Sequence, residues 1–207
     1  MSDQNQERQD QILLNTLADV PFDGWTWQVV EQAAEKAGIR PDIAVTLFPE
    51  RIQSVLIHFS DWADRQMLGR LKEINGGDMR VRDRVRCGVV ERLDVLLPHK
   101  EALRLSSSYW LNPFRKVTAV KMVWKTADKI WIWAGDTATD YNHYTKRGLL
   151  SGVITATTMA WLNDTSDNHE ETLAFLDRRI DNVLTVGKFA SRFKGRVDGL
   201  KSTVSKG

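Results

Sequence analysis

Residues 33–42 read Ala33-Ala34-Glu35-Lys36-Ala37-Gly38-Ile39-Arg40-Pro41-Asp42. Small side chains let two helices approach closely, a glycine after the last helical turn supplies the left-handed C′ position, and proline is favoured at the first position of the next helix. The stretch therefore reads as a helix-turn-helix, with one helix over about 26–37 and a shorter one from Pro41 to the stop at Pro49. Upstream, Ile12, Leu13, Leu14 and Leu17 recur at helical spacing before the break at Asp23-Gly24. Residues 1–50 thus form a three-helix unit.

The spacing of this unit resembles the N-terminal domain of TetR-type regulators, and a larger helical domain follows it. Apolar positions at helical spacing predict helices over about 51–72, 81–97, 99–107, 116–134, 137–162 and 170–186, broken by Asn75-Gly76-Gly77-Asp78, Pro98, Asn112-Pro113 and Gly135-Asp136. No strand-like alternation survives. The expected fold class is all-α and TetR-like, an N-terminal helix-turn-helix three-helix unit followed by a larger helical bundle. The expected domains are 1–50, the bundle 51–187 and a tail 188–207. Nucleic acid is not an expected partner. The would-be recognition helix, Asp42 to Leu47, has no Lys, Arg, Asn or Gln to read bases, and Asp42 and Glu50 would repel phosphates. A TetR-type transcriptional regulator with a small apolar-ligand pocket is the alternative reading.

The chain has 207 residues, 42% hydrophobic and 27% charged, enough for a globular fold with a substantial core. Its single cysteine, Cys87, excludes an intramolecular disulfide. The polar start, residues 1–11, has no signal- or transit-peptide pattern, and no run of about 18 apolar residues reads as a membrane span. The expected location is cytoplasmic, peripheral to the inner membrane of a bacterium.

The residues offer little to reaction chemistry. The four histidines form no E-x-x-H or H-x-x-x-H pair. Asp136, Asp140 and His143 could share a helix face, but acids at a helix N-terminus are what capping and the helix dipole favour. Thr137-x-x-Asp140 has the form of a capping box. Arg84 and Arg86 near Cys87 would lower a thiol pKa, but a lone cysteine between charged residues on a helix is more often inert. No glycine-rich phosphate loop or nucleophile elbow is present. The chain reads as not an enzyme, with no cofactor and no metal.

Charge is uneven. Residues 188–207 carry six basic residues and one acid, net +5, so the rest carries −3 of the total +2. In this tail Phe189, Phe193, Val197, Leu200 and Val204 step by four, four, three and four, which keeps them on one helical face. Phe189, Phe193, Lys194, Arg196, Val197 and Leu200 are the candidate membrane-binding residues of an interfacial helix. Each cation near an anionic surface adds about 1 kcal/mol, and each buried Phe roughly 1.5–3 kcal/mol, a total suited to reversible docking.

Eight tryptophans are many for this length, and Trp124, Trp131 and Trp133 lie in one helix that is apolar nearly all round. Such a helix is usually central in a bundle. The next helix is rich in small residues, and Gly148-x-x-x-Gly152 allows close helix contact. Apolar and small-residue helices side by side make either a core or a cavity for an apolar ligand.

Gly135-Asp136-Thr137-Ala138-Thr139-Asp140-Tyr141-Asn142-His143-Tyr144-Thr145-Lys146-Arg147 strongly resembles the signature of the COQ-nine family of ubiquinone biosynthesis accessory proteins. The likeness extends to Pro21-Phe22-Asp23-Gly24-Trp25, Pro98-His99-Lys100-Glu101-Ala102, Trp161-Leu162-Asn163-Asp164 and residues 175–181, nearly the whole chain. This resemblance implies a TetR-like, homodimeric protein that has lost DNA binding. It also implies a hydrophobic cavity for an isoprenoid quinone intermediate or phospholipid, with Trp124, Trp131, Leu149, Val153, Thr157 and Trp161 as candidate lipid-binding residues. A terminal amphipathic helix would reach the membrane surface. His143 and Tyr144 would face a ubiquinone-biosynthesis hydroxylase, the demethoxyubiquinone hydroxylase; many relatives carry Trp in place of His143.

Overall fold

Gly38 has φ +69, Gly38 N–H donates to Glu35 O at 2.9 Å, and Ile39 N–H donates to Ala34 O at 2.9 Å. That pair of bonds is a Schellman turn, the C-terminal stop expected of this glycine. It sits in a computed structural model that describes residues 3–137, 139 and 141–182. The described elements are α1 (Asp3–Asp23), α2 (Trp27–Lys36), α3 (Pro41–Leu47), α4 (Ile52–Lys72), α5 (Val81–Leu96), α6 (Lys100–Trp110), α7 (Lys116–Trp133) and α8 (Tyr141–Asn163). A further helix, α9, runs from 170 to the end of the described residues. No strand occurs among the described residues, and the fold is all-α.

The described residues divide into two compact units, one within 3–74 and 90–126, the other within 75–89 and 127–182. In the first, α1 packs on α2, α3, α4 and α6. Ile12, Leu13, Leu17 and Val20 form its buried stripe, each contributing roughly 1.5–3 kcal/mol. Thr26 caps α2 by accepting from Val29 N–H at 3.3 Å, and Pro41 opens α3. Trp25 donates from Nε1 to Ala102 O at 2.9 Å and meets Phe59 at 5.9 Å between ring centroids.

α1 starts far earlier than the apolar pattern predicts, because its first turns are held by polar groups. Gln9 is buried and donates from Nε2 to Leu47 O at 2.7 Å. Asp10 accepts from Arg65 Nη1 and Nη2 at 2.8 and 2.7 Å and pairs with His58 Nε2 at 2.7 Å. Burial pushes the Asp10 carboxyl up, but the bonds from Arg65 and His58 outweigh it and hold the group below its ordinary range. Burial pushes His58 down, more than Asp10 raises it. Buried Asp64 is likewise satisfied, by Arg92 Nε at 2.9 Å and Thr126 Oγ1 at 3.0 Å.

One expectation for α7 needs correction. Apolar nearly all round, it reads as a central helix, yet Val117, Val120 and Ile132 are exposed. Its buried residues are Thr126, Ala127, Ile130 and Trp131, a narrow stripe rather than a full circumference.

Candidate functional site

In the second unit α8 buries Leu150, Val153, Ile154, Thr157 and Trp161, spaced so that one face is covered over three turns. From α7, Trp131 is buried and its indole Nε1 donates to Lys146 O at 3.1 Å, while Lys146 Nζ lies 5.4 Å from the Trp131 ring centroid. A hydroxyl stands out in this apolar setting. Thr157 Oγ1 is fully buried with no hydrogen-bond partner among the described residues, and an unsatisfied buried hydroxyl costs about 1–3 kcal/mol. His169 Nδ1 is also buried and, among the described residues, unpartnered, and the His169 ring meets Trp161 edge-on at 5.9 Å.

The turn between α8 and α9 is built on Asp164. Its carboxylate accepts from Ser166 Oγ at 2.6 Å, Ser166 N–H at 2.8 Å and Thr172 N–H at 2.9 Å, and from the Thr172 hydroxyl. These bonds, led by Ser166 Oγ, hold the carboxyl well below its ordinary range. Beside the turn lies a groove of about 430 Å³ lined by Ala160, Asn163, Asp164, Thr172, Phe175 and Arg178, among others. α5 holds α9 through Arg82, 2.6 Å from Asp181, and Arg86, 2.9 Å from Asp177.

At the start of α8 a buried ionic knot fixes the backbone. Arg147 donates from Nε to Asp128 at 2.5 Å and from Nη1 to Asp136 at 2.9 Å and His143 O at 3.2 Å. Lys146 reaches the other Asp136 oxygen at 2.6 Å. Gly135, with φ +86, makes the turn that brings Asp136 there. The knot leaves Tyr144 exposed and His143 half-buried, their rings edge to face at 5.2 Å. Lys146 and Arg147 are thus cationic partners of Asp136.

Residues 117–187 match the COQ9 family model. The rat "Ubiquinone biosynthesis protein COQ9, mitochondrial" is 28% identical over 199 residues, covering 93% of this chain and 64% of the relative. The human protein of that name is 26% identical over 202 residues, covering 94% and 63%. The Drosophila melanogaster protein is 29% identical over 188 residues, covering 89% and 57%. The chain is similar to the COQ9 family over most of its length. It spans less than two thirds of the length of these relatives. Among solved structures, a TetR transcriptional regulator from Nitrosomonas europaea superposes with a TM-score of 0.68 at 18% identity, covering 85% of this chain and 97% of that one. The fold is TetR-like.

Against the COQ9-type expectations, the structure brings Val153, Thr157 and Trp161 onto one buried stripe, buries Trp131, and leaves Trp124 and Leu149 half-buried. None of the six lines the groove beside Asp164. The expected close approach at Gly148-x-x-x-Gly152 is not made at Gly152, which is exposed with nothing within 4 Å of an added Cβ. The close approach lies instead at Gly88 of α5, where a Cβ would stand 2.8 Å from Ile130 Cγ2. A glycine inside an otherwise regular helix was the available signal. Phe189, Phe193, Lys194, Arg196, Val197, Leu200 and the rest of the basic tail lie outside the described residues, as does Asp140 of the capping box and the acid triplet. Among the described residues no three His, Cys, Asp or Glu side chains group as metal ligands. No described helix is long and apolar enough to cross a membrane. On the helix-turn-helix, Arg40 is tied to Asp42 by two bonds of 3.0 and 2.8 Å, and Arg51 stacks over Trp27 at 4.5 Å.

Proposed function

We propose that this chain is a non-catalytic lipid-binding accessory protein of ubiquinone biosynthesis. It takes an isoprenoid quinone precursor from a membrane and presents it to a modifying enzyme such as a demethoxyubiquinone hydroxylase. The observation that carries this reading is the similarity to relatives named ubiquinone biosynthesis protein COQ9 across more than nine tenths of the chain. The bundle 51–187 would hold the apolar ligand, phospholipid serving in place of quinone, and the 188–207 tail would dock on the membrane. Val153, Thr157 and Trp161 share one buried face of α8 that carries the Thr157 hydroxyl, a pattern that would suit a long-chain ligand with a polar head. Hydrophobic transfer would drive entry. His143 and Tyr144 would meet the enzyme, and the chain would work as a homodimer. The regulator alternative gains nothing from α3, whose flanking arginines are occupied by Asp42 and Trp27.

Native mass spectrometry and lipid extraction of the purified chain test the reading. A bound isoprenoid or phospholipid is expected, at reduced occupancy in Trp161→Ala. Protein free of lipid, with salt-dependent binding to a specific duplex DNA, would point to the regulator instead.

A further inference from the structure

The corner between α6 and α7 exposes a run of apolar side chains in the first unit. Leu111 is 76% exposed, Phe114 93%, Val117 65% and Val120 63%. Phe114, Val117 and Val120 are three apart in continuous helical chain, so they form one ridge. Half-buried Trp124 and exposed Lys121 continue the same arc of α7. The corner is braced. Asn112 accepts Phe114 N–H at 3.0 Å. Arg115 donates to Tyr109 O at 3.2 Å, and its guanidinium lies 3.7 Å from the Tyr109 ring centroid. The ridge is held out by these contacts rather than left there by fraying.

Charge selects what covers it. Between Ala102 and Ala127 the chain has no Asp or Glu, while Arg115, Lys116, Lys121 and Lys125 surround the ridge. Another element, the α3–α4 corner, brings Glu50 close enough to act on Tyr109. A second copy docked through the same ridge would oppose like charges. The tail 188–207, itself net +5, would do the same. Nucleic acid would satisfy the lysines but leave Leu111, Val117 and Val120 in water. An apolar ridge ringed by long cationic side chains fits a phospholipid surface, where the ridge enters the acyl boundary and the lysines reach the headgroups.

We propose that Leu111, Phe114, Val117 and Val120, with Lys116, Lys121 and Lys125 beside them, form a second membrane-contact surface for anionic phospholipid, separate from residues 188–207. It rests on the membrane-visiting part of the proposed function and not on the lipid cavity. A contact in the middle of the chain, added to one at the C-terminal tail, would restrict the protein's orientation on a bilayer more than a single terminal segment does.

The test is flotation of the full chain, tail retained, with vesicles of phosphatidylcholine alone and of an equal mixture with phosphatidylglycerol. Phe114→Ser/Val117→Ser is expected to weaken binding to the mixed vesicles at least about tenfold, and Lys116→Gln/Lys121→Gln about fivefold per lysine removed. Both variants change exposed positions, and unaltered thermal melting confirms that they fold. A nitrobenzoxadiazole label on F114C, in a C87A background, is expected to shift to the blue on the mixed vesicles. Unchanged flotation of both variants overturns the proposal, as does a label that stays in water. So does a dimer that dissociates in F114S/V117S while flotation persists, because the ridge would then belong to a second copy. A chain that floats through this ridge yet yields no lipid on extraction fails the lipid-presenting function and leaves the membrane surface standing.

Discussion

Arg147 Nη1 donates to Asp136 Oδ2 across 2.9 Å, and both side chains are 3% exposed. The guanidinium bridges Asp136 to Asp128 while also holding His143 O, so one side chain ties the end of α7 to the start of α8. Removing one member of a buried pair leaves the other charge without compensation. Arg147→Ala is expected to lower stability by about 3 kcal/mol in urea unfolding. The low end of the range applies because Lys146 still reaches Asp136. Arg147→Lys keeps the charge but not the fork and is expected to lose part of the same stability. Loss below about 1 kcal/mol for Arg147→Ala would show that the knot does not hold the turn.

Thr157 gives an expectation of opposite sign. Its hydroxyl is buried without a partner, so the isosteric Thr157→Val should raise stability by about 1 kcal/mol. If the hydroxyl serves a ligand's polar head, the same change reduces the lipid recovered on extraction. Thermal melting and extraction of one preparation give both answers. A less stable T157V would mean that the hydroxyl has a partner after all.

Gly88 and Ile130 form a packing pair that a double-mutant cycle resolves. A Cβ at Gly88 would stand 2.8 Å from Ile130 Cγ2, and Ile130 is fully buried and stiff at χ1. Overpacking costs about 1–3 kcal/mol, and the gain in helix propensity returns about 1 kcal/mol. Gly88→Ala should therefore destabilise by about 1 kcal/mol. In an Ile130→Ala background the added methyl should become neutral or favourable. Equal effects in the two backgrounds would remove the contact from the account.

The Asp10–His58–Arg65 cluster makes stability depend on pH. His58 is depressed from 6.5 by burial, and burial lowers His99 in the same direction. The unfolded chain then binds more protons than the folded one as the pH drops through that ordinary histidine value, so stability falls on acidification and is retained above it. Asp10, depressed from 3.8, adds stability that is present above that value and is lost as the pH falls toward the folded one. Melting temperature should decline steadily from about pH 7 to about pH 5 and steeply near about pH 4. His58→Gln should flatten the upper part of the curve, with His99 supplying the remainder. A curve that H58Q leaves unchanged would contradict the assignment.

How much was legible beforehand depended on whether a signal was local. The α2–α3 turn was readable because glycine at C′ and proline at N1 each meet a steric demand that few residues satisfy. The buried positions Ile12, Leu13 and Leu17 were readable because burial follows a fixed angular step. The early start of α1 was not, since buried Gln9 and half-buried Asp10 are held by partners 38, 48 and 55 positions away. In the candidate site, Gly135-Asp136 signalled a turn, and the spacing of Val153, Thr157 and Trp161 puts them on a shared face. The partners of Asp136 and the orphaned Thr157 hydroxyl had no sequence signature.

Helical periods, breaks and the charge on the tail are properties of neighbours along the chain, so the residue order alone was enough to name an all-α, TetR-like protein and its family likeness. Which side of α7 faces solvent, why Gly88 must be small and which cation neutralises Asp136 depend on atoms brought together from distant positions. An apolar residue's preference for burial does not say which of them the finite inner surface will accommodate. In α7 that surface took Ile130 and Trp131 and left Val117 and Val120 in water.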